Sequence, residues 1–156
     1  MTCAADRVVT DVSRVKVEEN GRSAIFVNEE KRTFHRVKVD GGLVKDTLCA
    51  DYVVSKQDVG SVVIELKGTD IEHAVDQIDA TVTIMKSCKA PKAKGRRGIA
   101  QLPMAGLIVC SKYPRADTTF QKKQKKFVAK HGSPLHCVSG KGEFFIEKVL
   151  SFNGPK

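Results

Sequence analysis

Two acidic residues and one lysine lie in apolar surroundings, where charged side chains are costly. Asp51 lies within one apolar run, and Glu65-Leu66-Lys67 ends a second apolar run after thirteen intervening residues. Carboxylates and ammonium groups are rarely buried without a partner, so a sequence that built only a core would not place three of them here. These residue types, in this order, point to a divalent-metal site for phosphodiester chemistry.

Phosphodiester cleavage needs a hard cation that neutralises the phosphate and acidifies a water molecule. Magnesium takes oxygen ligands, usually one or two carboxylates together with water and substrate oxygens. Asp51 and Glu65 would supply the carboxylates, and the backbone carbonyl of Leu66 could add a third oxygen. Lys67 would lie beside the metal-bound water, where its ammonium could orient that water or stabilise developing charge. The predicted cofactor is therefore Mg²⁺ or Mn²⁺.

Three antiparallel strands are expected to position these residues. Alternation of side-chain types over residues 33–40 predicts the first strand, and the turn signal Asp40-Gly41-Gly42 follows it. Residues 48–55 and 61–66 predict the second and third strands. The three form an antiparallel meander.

The register of the second and third strands decides whether the two carboxylates meet. A loop over residues 57–59, closed by Lys56 and Gly60 with the glycine at a positive φ, aligns one face of the pair. A slip of one residue would place the carboxylates on opposite faces. The predicted opposed pairs are Asp51 with Glu65, Val53 with Val63 and Cys49 with Lys67.

The rest of the chain predicts two helices and further strands. A capping-box pattern, Thr69-Asp70-Ile71-Glu72, opens a helix that runs to about residues 85–88. Residues 104–111 predict a strand buried on both faces, and Asp117 caps a helix to about residue 130. Residues 134–138 and 143–150 predict two final strands joined by a turn at 140–142. Residues 7–17 fit either a strand or a short helix.

At these residues the chain resembles the PD-(D/E)XK nuclease superfamily, over roughly residues 33–138. The resemblance rests on Asp51 and the Glu65-Leu66-Lys67 tripeptide on a hairpin, followed by a helix, a buried strand and another helix. It implies an α/β protein with a restriction-endonuclease-like mixed β-sheet, an antiparallel meander and then β-α-β, flanked by helices. It also implies a Mg²⁺-dependent endonuclease or exonuclease, in one domain over residues 1–156 with its core at about 33–150.

The resemblance extends to the helix after the motif and departs from the family in two places. Gln77 matches a glutamine that exonuclease-like members carry near the active site, although a solvent-facing glutamine is the alternative. His73, four residues earlier, is expected at the surface. Ala50 stands where many members have proline, and Asp40 is expected to shape its turn. Many members also have an acid on a helix before the meander, and the candidates, with Glu19 or Glu18 favoured, are Glu18, Glu19, Glu29 and Glu30.

Charge is divided unequally along the chain, whose net charge is +9. Residues 1–85 contain 11 Lys/Arg and 15 Asp/Glu, a net of −4, whereas residues 86–156 contain 16 and 3, a net of +13. A basic half of this kind favours a polyanion such as nucleic acid, with DNA preferred over RNA. Phosphate contacts give affinity without base-sequence readout. They are expected from an irregular basic loop and from the second helix, at Lys89, Lys92, Lys94, Arg96, Arg97, Lys122, Lys123, Lys125 and Lys126; a solvated face is the alternative for the helix.

Composition narrows the class of protein further. The 156 residues, 41% of them apolar, suit one globular domain. The five cysteines form no Cys-x-x-Cys pair, so neither a zinc site nor an iron–sulfur cluster is indicated. Apolar stretches are too short for a membrane span and no signal peptide is evident, so we expect a cytoplasmic protein without a membrane partner.

The predicted function is therefore a metal-dependent nuclease with little base-sequence readout. A homodimer would suit cleavage of both strands, although the sequence does not indicate one. The alternative is a catalytically inactive nuclease-fold module that binds nucleic acid or another protein.

Overall fold

The computed structural model describes residues 7–41, 47–87, 102–111, 118–140 and 142–155. The helices in these ranges are α1 (Ile71–Ser87), α2 (Thr118–His131) and α3 (Ile146–Val149). The strands are β1 (Arg7–Thr10), β2 (Arg14–Glu19), β3 (Arg22–Val27), β4 (Phe34–Lys38), β5 (Tyr52–Lys56), β6 (Gly60–Lys67), β7 (Met104–Cys110), β8 (Leu135–Ser139) and β9 (Gly142–Phe144).

The strands form two sheets, one mixed and six-stranded and one three-stranded. The larger sheet has the order β1-β4-β5-β6-β7-β8, with antiparallel pairing from β1 to β6 and parallel pairing from β6 to β8. The antiparallel meander followed by β-α-β was predicted, since parallel neighbours need a crossover such as α1. The smaller sheet, β2-β3-β9, was not predicted. The chain is an α/β protein.

The central strands β6 and β7 are buried on both faces, which explains their continuous apolar runs. Val63 and Ile108 point toward α1 and α2, within one apolar cluster. Val62, Ile64 and Leu66 point the other way, into a second cluster under the smaller sheet and α3. Successive side chains of β6 therefore fill two different cores. A polar residue near the end of β6 therefore has an apolar cluster on each side of the sheet.

Helix α1 agrees closely with its predicted range. Its buried side chains recur at helical spacing, and the backbone N–H of His73 donates to Oδ1 of Asp70 over 3.1 Å. The capping residue is therefore Asp70, one position after the predicted Thr69. Helix α2 buries Phe120 and Phe127, while its predicted cap, Asp117, lies outside the described residues. Within the described ranges, we find no helix long and apolar enough to cross a membrane.

The predicted strand over residues 143–150 is wrong in most of its length. Residues Gly142–Phe144 form β9, which pairs in parallel with β3 rather than returning beside β8. Ile146 and Val149 are then buried on one face of α3. Their three-residue spacing is helical, and Phe144 at 0% exposure packs against Phe26 with ring centroids 6.0 Å apart. Burial against the smaller sheet thus decides the conformation of this segment.

Candidate active site

The β5–β6 hairpin has the predicted register. Tyr52 pairs with Ile64 at the end of the ladder, and just beyond it the Asp51 N–H donates to the Ile64 carbonyl over 3.2 Å and to the Glu65 carboxylate over 3.1 Å. The loop also spans residues 57–59, but the positive φ of 64° belongs to Asp58 and not to Gly60. Aspartate is one of the non-glycine residues that tolerate this conformation. The hairpin therefore brings the two acids to the same end of adjacent central strands.

Each of the two carboxylates accepts a backbone hydrogen bond from the opposite strand or the segment beside it. Oδ2 of Asp51 accepts a 2.8 Å hydrogen bond from the Leu66 N–H, and Oε2 of Glu65 accepts a 3.1 Å bond from the Asp51 N–H. Their exposed fractions are 8% for Asp51 and 3% for Glu65. These two bonds fix both side chains, and each of them uses only one oxygen of its carboxylate.

Burial makes ionisation of both acids unfavourable. It raises the pKa of Glu65 to about 8, helped by the neighbouring Asp51 charge, and Lys67 only partly opposes the rise. Burial likewise raises the pKa of Asp51, against the opposing effect of the Leu66 hydrogen bond. A cation between the two groups would favour their charged forms, because opposite charge stabilises buried carboxylates. The pair therefore fits an oxygen-ligated divalent ion.

The oxygen donors available to such an ion are few. No group of three or more His, Cys, Asp and Glu side chains in the described part of the chain is arranged to hold a metal. Asp51 and Glu65 are two carboxylates, and the Leu66 carbonyl shares the side of β6 from which its N–H reaches Asp51. A set of this size is typical of Mg²⁺, which completes its coordination with water and substrate oxygens.

Gln77 connects Lys67 to the segment before Asp51. The Lys67 ammonium donates to Oε1 of Gln77 over 3.0 Å and lies 4.0 Å from Oε1 of Glu65. The Gln77 amide nitrogen donates to the Cys49 carbonyl over 3.1 Å. This second bond orients the amide so that its oxygen faces the ammonium. Gln77 therefore lies inside the cluster, whereas His73 is exposed.

Of the four candidate N-terminal acids, Glu19 lies at the cavity that Asp51 and Glu65 line. It ends β2, so it comes from a strand and not from a helix. Glu18 pairs with Lys16, and Glu29 and Glu30 are exposed after β3.

Asp40 lines the same cavity, a position that its turn pattern did not indicate. The charges of Glu19 and Asp40 both contribute to the raised pKa of Asp51. The cavity is therefore strongly acidic.

Sequence reasoning missed Arg22, which also lines this cavity. Asn20 and Gly21 have φ values of 51° and 76°, the conformation of a two-residue hairpin turn, and Glu19 lies opposite Arg22 across it. The Asn-Gly pair between two alternating segments was the signal that could have predicted this hairpin. No local pattern in the sequence indicated that this hairpin lies beside the β5–β6 hairpin at the cavity.

The expected nucleic-acid contacts have different outcomes. Lys89, Lys92, Lys94, Arg96 and Arg97 lie outside the described residues. On α2, exposed side chains occur at Lys122, Lys125 and Lys126.

Lys123 instead contacts α1. Its ammonium is 3.0 Å from Oδ2 of Asp76 and 3.3 Å from the Glu72 carbonyl. It joins the two helices, which leaves it less available to a phosphate than its neighbours on α2.

Comparisons of the chain with protein-family models, with curated proteins and with solved structures give no match. Inference about its activity therefore depends on the geometry of Asp51, Glu65, Lys67 and Gln77.

Proposed function

We propose that this protein is a metal-dependent nuclease that hydrolyses phosphodiester bonds of nucleic acid, with DNA as the expected substrate and little base-sequence readout. The fold would be restriction-endonuclease-like, of the PD-(D/E)XK type. One observation carries the proposal: Asp51 and Glu65 lie together at the end of two neighbouring strands, where the Asp51 N–H donates to the Glu65 carboxylate over 3.1 Å and the Lys67 ammonium is 4.0 Å from Glu65.

Each residue of the cluster has a role in this proposal. Asp51, Glu65 and the Leu66 carbonyl would hold Mg²⁺ or Mn²⁺, which when bound neutralises phosphate charge and makes a water molecule more acidic. Lys67 would orient the attacking water or stabilise negative charge as it develops on the phosphate. Gln77 positions Lys67, because its amide is anchored on the Cys49 carbonyl and accepts from the ammonium.

The electrostatics favour a site over a structural ion pair. In a self-sufficient salt bridge, the lysine would lower the carboxylate's pKa below its ordinary value. Here the pKa of Glu65 is raised to about 8 although Lys67 is near. The cluster therefore costs stability in the absence of a cation, and a divalent ion would relieve that cost.

The basic half of the chain supplies the surface that a nucleic-acid substrate needs. This half, residues 86–156, has a net charge of +13 and includes the exposed lysines of α2. Helix α2 contacts α1 through Lys123 and Glu72, in the first turn of α1. These lysines can thus attract phosphates toward the part of the molecule that contains the carboxylates.

The test is cleavage of plasmid, linear, branched and single-stranded DNA and of RNA, with Mg²⁺, with Mn²⁺ and with chelator. We expect metal-dependent cleavage that falls at least about 100-fold in Asp51→Asn, Glu65→Gln and Lys67→Ala. Glu147→Gln is the matched control, since Glu147 pairs with Lys56 elsewhere on the surface. Absence of cleavage of every substrate, or cleavage unchanged in the three variants, would contradict the proposal.

A further inference from the structure

Arg22 reaches the cavity from a different sheet than the carboxylates do. It begins β3, directly after the Asn20–Gly21 turn, and belongs to the three-stranded sheet. Its side chain lines the cavity together with Asp51, Glu65 and Lys67, which belong to the hairpin of the larger sheet or the segment leading into it. The cavity therefore has one wall on each sheet, and Arg22 is a cation on the second wall.

The guanidinium is anchored at one point. Its Nε donates a 3.0 Å hydrogen bond to Oγ of Ser111, which follows β7. Gly68 follows β6, and a Cβ added there would lie 3.0 Å from Nη2 of Arg22. The Ser111 N–H donates to the Gly68 carbonyl over 3.1 Å, which joins the two strand ends. The absence of a side chain at residue 68 lets the guanidinium lie across them.

Arg22 has no acidic partner among the residues that the structure describes, since none of their carboxylates lies within 4.0 Å of it. Arg14 and Arg32, by contrast, are paired with Glu143 and Glu30. A purely structural arginine beside an acidic cavity would be expected to bind one of its carboxylates. With Nε bound to a neutral hydroxyl, the terminal nitrogens of Arg22 remain for an anionic ligand.

We propose that Arg22 binds phosphate oxygens of the nucleic-acid strand whose scissile bond lies at Asp51 and Glu65. This inference rests on the proposed function and extends it by assigning a phosphate contact. A planar guanidinium can donate two parallel hydrogen bonds to a phosphate, and the Ser111 anchor fixes its plane beforehand. Lysine offers only a point charge and cannot reproduce both contacts.

The decisive experiment compares Arg22→Ala, Arg22→Lys and Ser111→Ala with Arg32→Ala, a matched control that removes an exposed arginine from the loop between β3 and β4. Affinity for a fluorescein-labelled DNA duplex is measured in Ca²⁺ at several salt concentrations, and cleavage is measured in Mg²⁺. We expect Arg22→Ala to weaken binding about 10-fold and to reduce the salt slope by about one. Cleavage should fall more than binding, with partial recovery in Arg22→Lys and a smaller loss in Ser111→Ala.

The phosphate that Arg22 binds could be an internal phosphodiester or a terminal 5′-phosphate, and the choice of DNA substrate distinguishes the two. Duplexes with a 5′-phosphate, duplexes with a 5′-hydroxyl and a covalently closed circle are compared. An equal effect of Arg22→Ala on all three assigns the contact to an internal phosphodiester. An effect confined to 5′-phosphorylated ends assigns it to a terminal phosphate. Both results support Arg22 as a phosphate ligand.

Integrity of the carboxylate site is measured separately, as the shift in melting temperature on adding Mn²⁺. We expect Arg22→Lys and Arg22→Ala to retain the wild-type shift. If both variants keep that shift and also keep wild-type binding, salt slope and cleavage, the inference is overturned while the nuclease proposal stands. A wild-type protein that cleaves nothing contradicts the nuclease proposal. In that case an Arg22-dependent salt slope would still support the phosphate contact, and an unchanged slope would overturn both.

Discussion

Helix α1 contacts two charged clusters, one through Gln77 and the other through Asp79. The carboxylate cluster consists of Asp51, Glu65, Lys67 and Gln77. The His131 cluster consists of Asp79, Lys86, Lys130 and His131. Each contains a buried or half-buried acid beside lysine ammonium groups, but the net pKa shifts of these acids have opposite directions.

In the His131 cluster the charges compensate one another. Burial alone would raise the pKa of Asp79, but hydrogen bonds from His131, over 2.5 Å, and from Lys130 hold it below its ordinary value. Burial lowers the pKa of His131, which favours the neutral ring, and Lys86 donates to Nδ1 over 2.9 Å. Every member has a partner, and the result is a bridge between α1 and α2.

In the carboxylate cluster the burial cost is not compensated. Glu65 has a pKa raised to about 8 beside one lysine and a second acid. The comparison teaches that charge pairing alone does not distinguish a structural cluster from a candidate site. The pKa shifts do differ: the pairing of Asp79 favours its ionised form, whereas burial favours the protonated forms of Asp51 and Glu65, which a cation bound as we propose would reverse.

The largest expected difference between the clusters is in cleavage. Asp51→Asn and Glu65→Gln should each lower kcat/KM about 1000-fold, or about 4 kcal/mol of transition-state stabilisation. Asp79→Asn should leave kcat/KM within about 3-fold while lowering the free energy of unfolding by about 1–2 kcal/mol. Steady-state kinetics and chemical denaturation of the same preparations check both. Equal losses of kcat/KM in all three variants would remove the distinction.

Metal binding should stabilise the protein through only one cluster. At pH 8, Mn²⁺ at about 100 times its Kd should add about 2.7 kcal/mol, or a rise in Tm of roughly 5–10 °C. The rise should be smaller at pH 5.5, because protons compete for Glu65. It should persist in Asp79→Asn and disappear in Glu65→Gln, as measured by differential scanning fluorimetry. Persistence in Glu65→Gln would assign the metal to other ligands.

In the metal-free protein, the pKa shifts of Glu65 and Asp79 should change the free energy of unfolding with pH in opposite directions. Because the folded pKa of Glu65 is raised, its ionisation destabilises the fold progressively as pH rises from about the ordinary value of 4.5 through about 8. Glu65→Gln should therefore gain up to about 4 kcal/mol over wild type between pH 5 and pH 9 in chelator.

Asp79 has a lowered folded pKa, so its stabilisation is present above its ordinary value of 3.8 and is lost as pH falls through the folded pKa. The loss in free energy of unfolding caused by Asp79→Asn should accordingly become smaller as pH falls. Urea denaturation across the pH range measures both variants. A Glu65→Gln difference that did not change with pH would contradict the assigned shift.

The smallest expected effect concerns Gln77. Gln77→Leu removes the acceptor that orients the Lys67 ammonium and leaves the carboxylates in place, so kcat should fall about 10-fold, or about 1.4 kcal/mol. The Mn²⁺-induced rise in Tm should be retained. Gln77→Glu, which keeps an acceptor for Lys67, should recover part of kcat. A loss in Gln77→Leu as large as that in Lys67→Ala would make Gln77 more than a positioning residue.

Local patterns predicted the parts of the fold that depend on neighbouring residues. The three-residue loop was enough to predict the register of β5 and β6, which brings Asp51 and Glu65 to the same end of the two strands. The spacing of apolar residues was enough for α1. In each case the turn chemistry and the buried face agree within one short segment, which leaves a single register or helix face available.

Features that depend on distant segments could not be predicted in this way. The pairing of β3 with β9 joins residues more than one hundred positions apart, and Arg22 of β3 reaches the cavity beside Ser111, which lies 89 positions later. Lys123 was expected to face a phosphate, but Asp76 on a separate helix binds it. Neither pairing has a local sequence signal, because the partners lie far apart along the chain and meet only in the tertiary structure.

The parallel pairing of β3 with β9 has a consequence for synthesis on the ribosome. Asp51 and Glu65 can meet soon after residue 67 leaves the exit tunnel, because they share one hairpin. The β2–β3 hairpin, made much earlier, lacks its third strand until residues 142–144 appear. The order of completion in the nascent chain is therefore the reverse of the order of translation, with the first-made wall of the cavity the last to be secured.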